Sequence, residues 1–318
     1  MTLRIHSTGP LALLQDKGRY GHQSVGVTPG GPMDEHAFDW ANKLVDNDLN
    51  ATQIEITLGQ FSCTFYAANT MALTGADMGA KLNNEAISPW QSYAINAGDK
   101  LEMSIAQSGL RAYLAVSGGF KVETILGSSA TVTRDGLGGN DGKGTPLTVN
   151  SLIRYSVDVS QLSTSFSEPR LRKQVPSRFI PSYDRHINIG VIPSYQYEDF
   201  LIADRERFFS SIYTVSANID RMGYRLSGEA IHCQRNNLIS EGIALGAIQI
   251  PSDGQPIVLM RDRQTIGGYP KIGCVVHADI SRLAQCLPGS TVQFYEKELY
   301  CSEAELMIQR QFFTSYSS

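Results

Sequence analysis

QIPSDGQPIVLMRDRQTIGGYPK, from Gln249 to Lys271, sets a short apolar run, Ile257 to Met260, between two clusters of polar and turn residues. On the N-terminal side, Pro251-Ser252-Asp253-Gly254-Gln255-Pro256 contains an Asp-Gly step, which calls for a tight turn with positive φ. On the other side, Arg261-Asp262-Arg263-Gln264-Thr265 leads into Gly267-Gly268-Tyr269-Pro270. A strand of this length is buried at its middle and leaves its polar ends at the surface. A hairpin with solvated ends would share that polarity. Two features point instead to a binding rim. Gln249, Gln255 and Gln264 offer both donors and acceptors, which suits a planar amide or ureido ligand. The Gly267-Gly268 pair lets backbone approach a ligand closely.

Outward from this stretch the texture is β. From Gln53 to Ser117, apolar segments such as Ile54–Leu58, Phe61–Tyr66, Thr70–Leu73 and Arg111–Val116 alternate with turns at Gly75-Ala76-Asp77, Asn83-Asn84 and Ala97-Gly98-Asp99. Short strands so punctuated predict a sandwich or barrel rather than an alternating α/β sheet. The clearest helix runs from Asp34 to about Val45, with Ala37, Phe38, Ala41 and Leu44 on one face and Asp34 as N-cap. Residues 127–145 form a glycine- and serine-rich surface loop. Residues 161–185, rich in Ser and Pro, form the expected linker between an N-terminal β domain, 1–160, and a C-terminal β domain, 186–318. In the second half a short helical patch is expected near Asp204–Phe209. Asp279 is expected to cap a helix through Cys286, and Ser302-x-x-Glu305 to open a terminal helix to about Phe313. The predicted class is mainly β with a few short helices.

Composition removes several functions. The 318-residue chain carries a net charge of −4 with only 18% charged residues, so no basic face argues for nucleic acid. No apolar run approaches the ~20 residues of a membrane span. The N-terminus has no signal-peptide core, and a cytoplasmic location is expected. Five scattered cysteines without a CxxC indicate neither a disulfide framework nor a metal site.

The search for self-contained chemistry ends quickly. GxSxG and HExxH are absent. Gly142-Lys143 fails as a phosphate loop, because Leu137 stands at the first glycine of GxxxxGK and Gly144 at its Ser/Thr. His232 and Cys233 are adjacent, so on a strand they face opposite ways. Asp77 ends an apolar strand, where it either faces a cleft or closes its own turn. Arg221 either clamps an anion or pairs with a nearby acid.

Several blocks, in order along nearly the whole chain, carry a family resemblance. They are Gln15-Asp16-x-Gly18-Arg19-x-Gly21, Gly31-x-Met33-Asp34 with Ala41-Asn42-x-Leu44-Val45, Glu55-Ile56-Thr57-Leu58-Gly59, and Leu73-Thr74-Gly75-Ala76-Asp77. Arg111–Gly119, Asp220-Arg221-Met222-Gly223-Tyr224-Arg225-Leu226 and the Gln249–Lys271 stretch complete the set. Together they resemble the KipA family, also called allophanate hydrolase subunit 2 or the biotin-dependent carboxyltransferase family. Its relatives include the C subunit of bacterial ATP-dependent 5-oxoprolinase and part of the urea carboxylase carboxyltransferase domain. Ser129, where the family usually has arginine, and Ile219 and Ile266, where smaller polar residues are common, depart from the pattern.

The resemblance implies two cyclophilin-like β-barrel domains and a hetero-oligomer with a KipI-type and a LamB/YcsF-type subunit. It implies ATP-coupled opening of the 5-oxo-L-proline lactam to L-glutamate, with ATP bound at the level of the complex and this chain inactive alone. In that scheme Asp253 or Asp262 is the base, Arg261, Lys271 and Arg221 steady anionic groups, and Gln249, Gln255 and Gln264 hold the amide edge. Thr265, Gly267, Gly268, Tyr269 and Asp77 complete the substrate site. Two rival readings are carboxyl transfer from carboxybiotin to urea or a similar amide, and a non-catalytic regulator that binds a KipI-like protein.

Overall fold

A computed structural model describes residues 1–156, 170–235 and 238–314. The chain divides into two compact units, Met1–Arg19 with Gly30–Tyr183, and Tyr20–Pro29 with Asp184–Thr314. The linker expected over 161–185 lies outside the described residues as far as 169. Of its remainder, 170–183 belongs to the first unit, where Arg170–Gln174 is a strand paired antiparallel with Gln91–Ile95, and Asp184 and Arg185 open the second.

The first unit is two sheets sharing one core. A seven-stranded sheet is built around the antiparallel pair Thr2–Thr8 and Phe61–Phe65. A six-stranded sheet is built around Asn69–Asp77 and Ser108–Val116. Period-2 alternation turns Phe61, Cys63 and Phe65 inward, where they meet Ile54, Ile56, Leu73 and Leu114 of the other sheet. The six-stranded sheet is buried on both faces because the helix Glu35–Leu44 covers its far side. Asp34 caps that helix, accepting from the Ala37 N–H at 3.0 Å. Thr74 and Gln53 donate to the Ala37 and Phe38 carbonyls, tying helix to sheet. The glycine-rich segment 127–145 is anchored at its start rather than lying on the surface throughout. Asp16 accepts from the Ser128 hydroxyl and the Ser129 N–H, and Arg19 donates to the Ala130 carbonyl at 2.6 Å. Ser129, the departure from the family pattern, is buried against the Thr52 hydroxyl.

The second unit closes into a seven-stranded barrel. Its order is His186–Pro193, Lys271–Val275, Ala247–Gln249, Ile257–Leu259, Gly223–Ser227, Ile212–Ile219 and Thr291–Glu296. Neighbours are antiparallel except for the closing pair, His186–Pro193 with Thr291–Glu296, which is parallel. Inside, Phe208 from the helix Ile202–Ser210 stacks on Phe294 with centroids 4.6 Å apart. Two helix starts differ from the sequence reading. The helix His277–Leu283 begins after Val276, and the Asp279 carboxylate accepts from the Gly190 N–H and pairs with Arg282 instead of capping. The terminal helix Leu299–Thr314 begins one turn before Ser302, whose capping partner Glu305 pairs with Lys297.

Candidate functional site

Register decides which side chains share a face of the barrel wall. Tyr224, Val258 and Ile248 are opposite one another on three adjacent strands, all with no exposure, and form the inner row. One residue along, Arg225 is opposite Ile257, Ile257 opposite Gln249, and Gln249 opposite Lys271. Opposed side chains on paired strands lie on the same face, so these four form one row across the outer wall. A bulge between Ile248 and Gln249 keeps Lys271 in that row.

A pocket of ≈ 530 Å³ lies on this wall. Gln249, Ile257 and Arg225 from the row contribute to it, with Leu259 and Gly223 from the next register position. The turn Ala217–Gly223 closes one side, and Gln264 and Tyr269 the other. Ile243, Ala247 and Leu259 form an apolar cluster beside it, with Ile257 packed against them. Gln249, one of its lining residues, is only 1% exposed, yet its Nε2 has no hydrogen-bond partner among the described residues. A buried amide donor left unmade costs about 1–3 kcal/mol. Gly267 makes room for it. A Cβ at 267 would fall 2.9 Å from Gln249 Nε2 and 2.6 Å from Ile243 Cδ1.

The expected site residues divide sharply. Gln249, Gln264 and Tyr269 line the pocket, and Gly267 adjoins it. Arg221 and Asp262 do not; they face each other in a buried two-pronged pair, Nε–Oδ2 2.8 Å and Nη2–Oδ1 2.9 Å. With the Asp262 N–H donating to the Arg221 carbonyl, this pair locks the Asp220–Gly223 turn that walls the pocket. Lys271, 7% exposed, holds Glu241 at 2.5 Å and donates to the Tyr269 carbonyl. Gln196 donates to Glu241, accepts the Lys271 N–H, and completes a knot with Tyr195. Lys271 first, then Tyr195, holds the Glu241 carboxyl below the usual glutamate range. The knot clamps the ribbon Glu241–Gly242 with Ile266–Gly267 beside the pocket.

The other residues stand apart from the cavity. Arg261 is buried and donates to the Tyr20 hydroxyl. Its neighbour Arg263, lowered to about 10 by burial and then by Arg261, donates to the carbonyls of Ile243 and Met260. Asp253 is exposed in the turn between two wall strands, where it accepts from the Gln255 N–H. Gln255 pins that turn by pairing with both backbone groups of Gly228. The Thr265 carbonyl accepts from Ile243, and Gly268 is exposed. Asp77 belongs to the first unit and closes its own turn on the Gly79 N–H, so it is no part of this pocket. Sequence reasoning passed over Asn218, Asp220 and Arg225 as pocket residues. The alternation Tyr224-in, Arg225-out, Leu226-in was the signal that could have found the last.

Residues 25–296 match the family model described as carboxyltransferase domain, subdomain A and B. The chain is 35% identical to the 5-oxoprolinase C subunit of Escherichia coli over 97% of its own length and 94% of that protein's. It is 34% identical to the 5-oxoprolinase C subunit of Haemophilus influenzae, over 89% of this chain and 87% of the relative. The crystal structure of Kluyveromyces lactis urea carboxylase superposes with a TM-score of 0.89 at 27% identity, covering 99% of this chain and 29% of that one. Among the described residues no helix is long and apolar enough to cross a membrane.

Proposed function

The chain belongs to the carboxyltransferase domain (subdomain A and B) family, and from that premise we propose that it is the lactam-binding subunit of a 5-oxoprolinase. The supporting observation is the Gln249 carboxamide, buried in the lining of a pocket with its Nε2 unpartnered among the described residues. A primary amide offers a donor and an acceptor side by side. A ring amide, held cis, presents N–H and C=O on the same edge and takes both at once. An open-chain secondary amide, held trans, presents them on opposite edges and takes one. 5-Oxo-L-proline, the ring amide implied by the relatives' name, meets this requirement.

In this reading Gln249 orients the lactam edge, Gln264 and Tyr269 border it, and Ile257 and Leu259 exclude water from the ring carbons. The phosphate-steadying role expected for Arg221 and Lys271 does not suit their geometry. Both are closed on carboxylates, and Arg261, expected in the same role, is buried against the Tyr20 hydroxyl and does not line the pocket, so no phosphoryl step is assigned to this chain. ATP, whose chemistry activates a lactam oxygen, and the remaining catalytic groups belong in this reading to partner subunits of KipI and LamB/YcsF type, in a cytoplasmic hetero-oligomer. The likeness to urea carboxylase favours one rival, in which the same amide edge meets the ring ureide of biotin during carboxyl transfer.

The test is glutamate release from 5-oxoproline and ATP by the chain alone and with its two candidate partners. Activity only in the mixture, lost in Gln249→Met, is expected. Avidin-sensitive carboxylation of urea without lactam cleavage would move the assignment to carboxyl transfer. Complex formation with no turnover would leave a regulatory binder.

A further inference from the structure

Among the described residues lining the pocket, Arg225 is the one cation. It lies in the same cross-strand row as Gln249, two strands away, with Ile257 between them. Paired strands are about 4.8 Å apart, so the two Cα positions are about 10 Å apart across an aliphatic spacer. The other cations of the Asp220–Leu226 and Gln249–Lys271 motifs described with ion pairs are firmly held. Arg221 makes two short bonds to a buried aspartate, and Lys271 sits 2.5 Å from Glu241. Arg225 differs. Its ion pair is with Asp253 at 3.4 Å, with side chains 42% and 54% exposed. Such a pair contributes only ~0–1 kcal/mol, so an incoming anion displaces it at little cost. Asp253 is meanwhile held where it is by the Gln255 N–H. Asp220, the carboxylate among the described lining residues, has its Oδ1 committed to the N–H groups of Met222 and Gly223, which share out its charge.

We infer that Arg225 reads an oxyanion on the ligand, a carboxylate, while Gln249 reads its ring amide, with Ile257 against the carbon skeleton between them. The inference rests on the lactam reading above. It narrows the ligand class to cyclic amides that carry a carboxylate, and makes Asp253 the built-in competitor that sets how strongly an anion is preferred. Arg225 is on this account a specificity residue with no part in bond making.

The experiment is calorimetric titration of the full chain and its variants with 5-oxoproline, with its neutral carboxamide, with propionate, and with inorganic phosphate. The wild type is expected to prefer the carboxylate over the carboxamide about 10- to 100-fold, the ordinary range for a hydrogen-bonded charge. Arg225→Met should erase that preference while leaving carboxamide binding intact. Asp253→Asn should sharpen the preference, an opposite sign that loss of folding cannot produce. Equal binding of both lactams by wild type and Arg225→Met would overturn the inference and leave the lactam reading standing. Arg225-dependent binding of phosphate without any lactam preference would overturn it in favour of a phosphate site. Binding of neither lactam would sink the lactam reading; propionate binding lost in Arg225→Met would then keep the anion site, and its absence would end that too.

Discussion

Gln249→Met should stabilise the protein and disable it at once. The side chain is 1% exposed, and its Nε2 finds no partner among the described residues. An unmade buried donor costs about 1–3 kcal/mol. Methionine has nearly the same length and shape, removes the orphaned donor, and packs its thioether beside Ile243 and Ile257. The expected gain is about 1–2 kcal/mol, which for a domain of this size raises Tm by roughly 2–10 °C. The same change removes both amide contacts to a lactam. Two neutral hydrogen bonds are together worth about 1–3 kcal/mol, or about 5- to 150-fold in affinity. Calorimetric melting and titration with 5-oxoproline, run on the same preparations, read the two effects. A lower Tm with unchanged affinity would refute the reasoning, because it would mean that the amide serves the fold and not a ligand.

Gly267→Ala should weaken lactam binding and cost about 1–3 kcal/mol, since its Cβ would press Gln249 Nε2 and Ile243 Cδ1. Gly268→Ala, which meets nothing nearer than 3.4 Å, should stay within about 0.5 kcal/mol in denaturant melts and bind normally. Asp262→Ala, by leaving the Arg221 guanidinium buried without its carboxylate, should lower stability by about 3–5 kcal/mol in urea titrations, and pairing it with Arg221→Met should recover most of that. Glu241 is held below the usual glutamate range, chiefly by Lys271. Because the folded value is the lower one, its contribution is present above the ordinary glutamate pKa and fades as pH falls through the lowered one. Wild type and Glu241→Gln should therefore differ in Tm at pH 7 and converge in acid; a constant gap would contradict the ion pair.

Much of this was legible in residue type and local period. The helix capped by Asp34, the β texture of both halves and the Asp253-Gly254 turn, where Gly254 has φ +73°, follow from short-range chemistry. Gln249 and Gln264 were singled out by residue type, and both line the pocket. What local pattern could not supply is register. Arg221 and Asp262 are polar neighbours of turns in the sequence, and only the pairing of Gly223–Ser227 with Ile257–Leu259 brings them together. The same pairing moves Arg225 beside Ile257 and Gln249, whereas Gln255, similar to Gln249 in type, is consumed by Gly228. Asp77 illustrates the opposite case, in which a short carboxylate satisfies the nearest backbone N–H before anything distant can reach it.

The cylinder of the second unit is shut by its first and last staves, His186–Pro193 and Thr291–Glu296, lying side by side. During synthesis every residue lining the pocket leaves the ribosome before the stave that seals the wall. A nascent chain halted short of Thr291 would expose two raw strand margins, one on His186–Pro193 and one on Ile212–Ile219. Such margins invite chain-to-chain pairing. Translation must therefore pass Glu296 before this half of the protein is safe from aggregation, and the strand Thr291–Glu296 works as a latch as well as a wall.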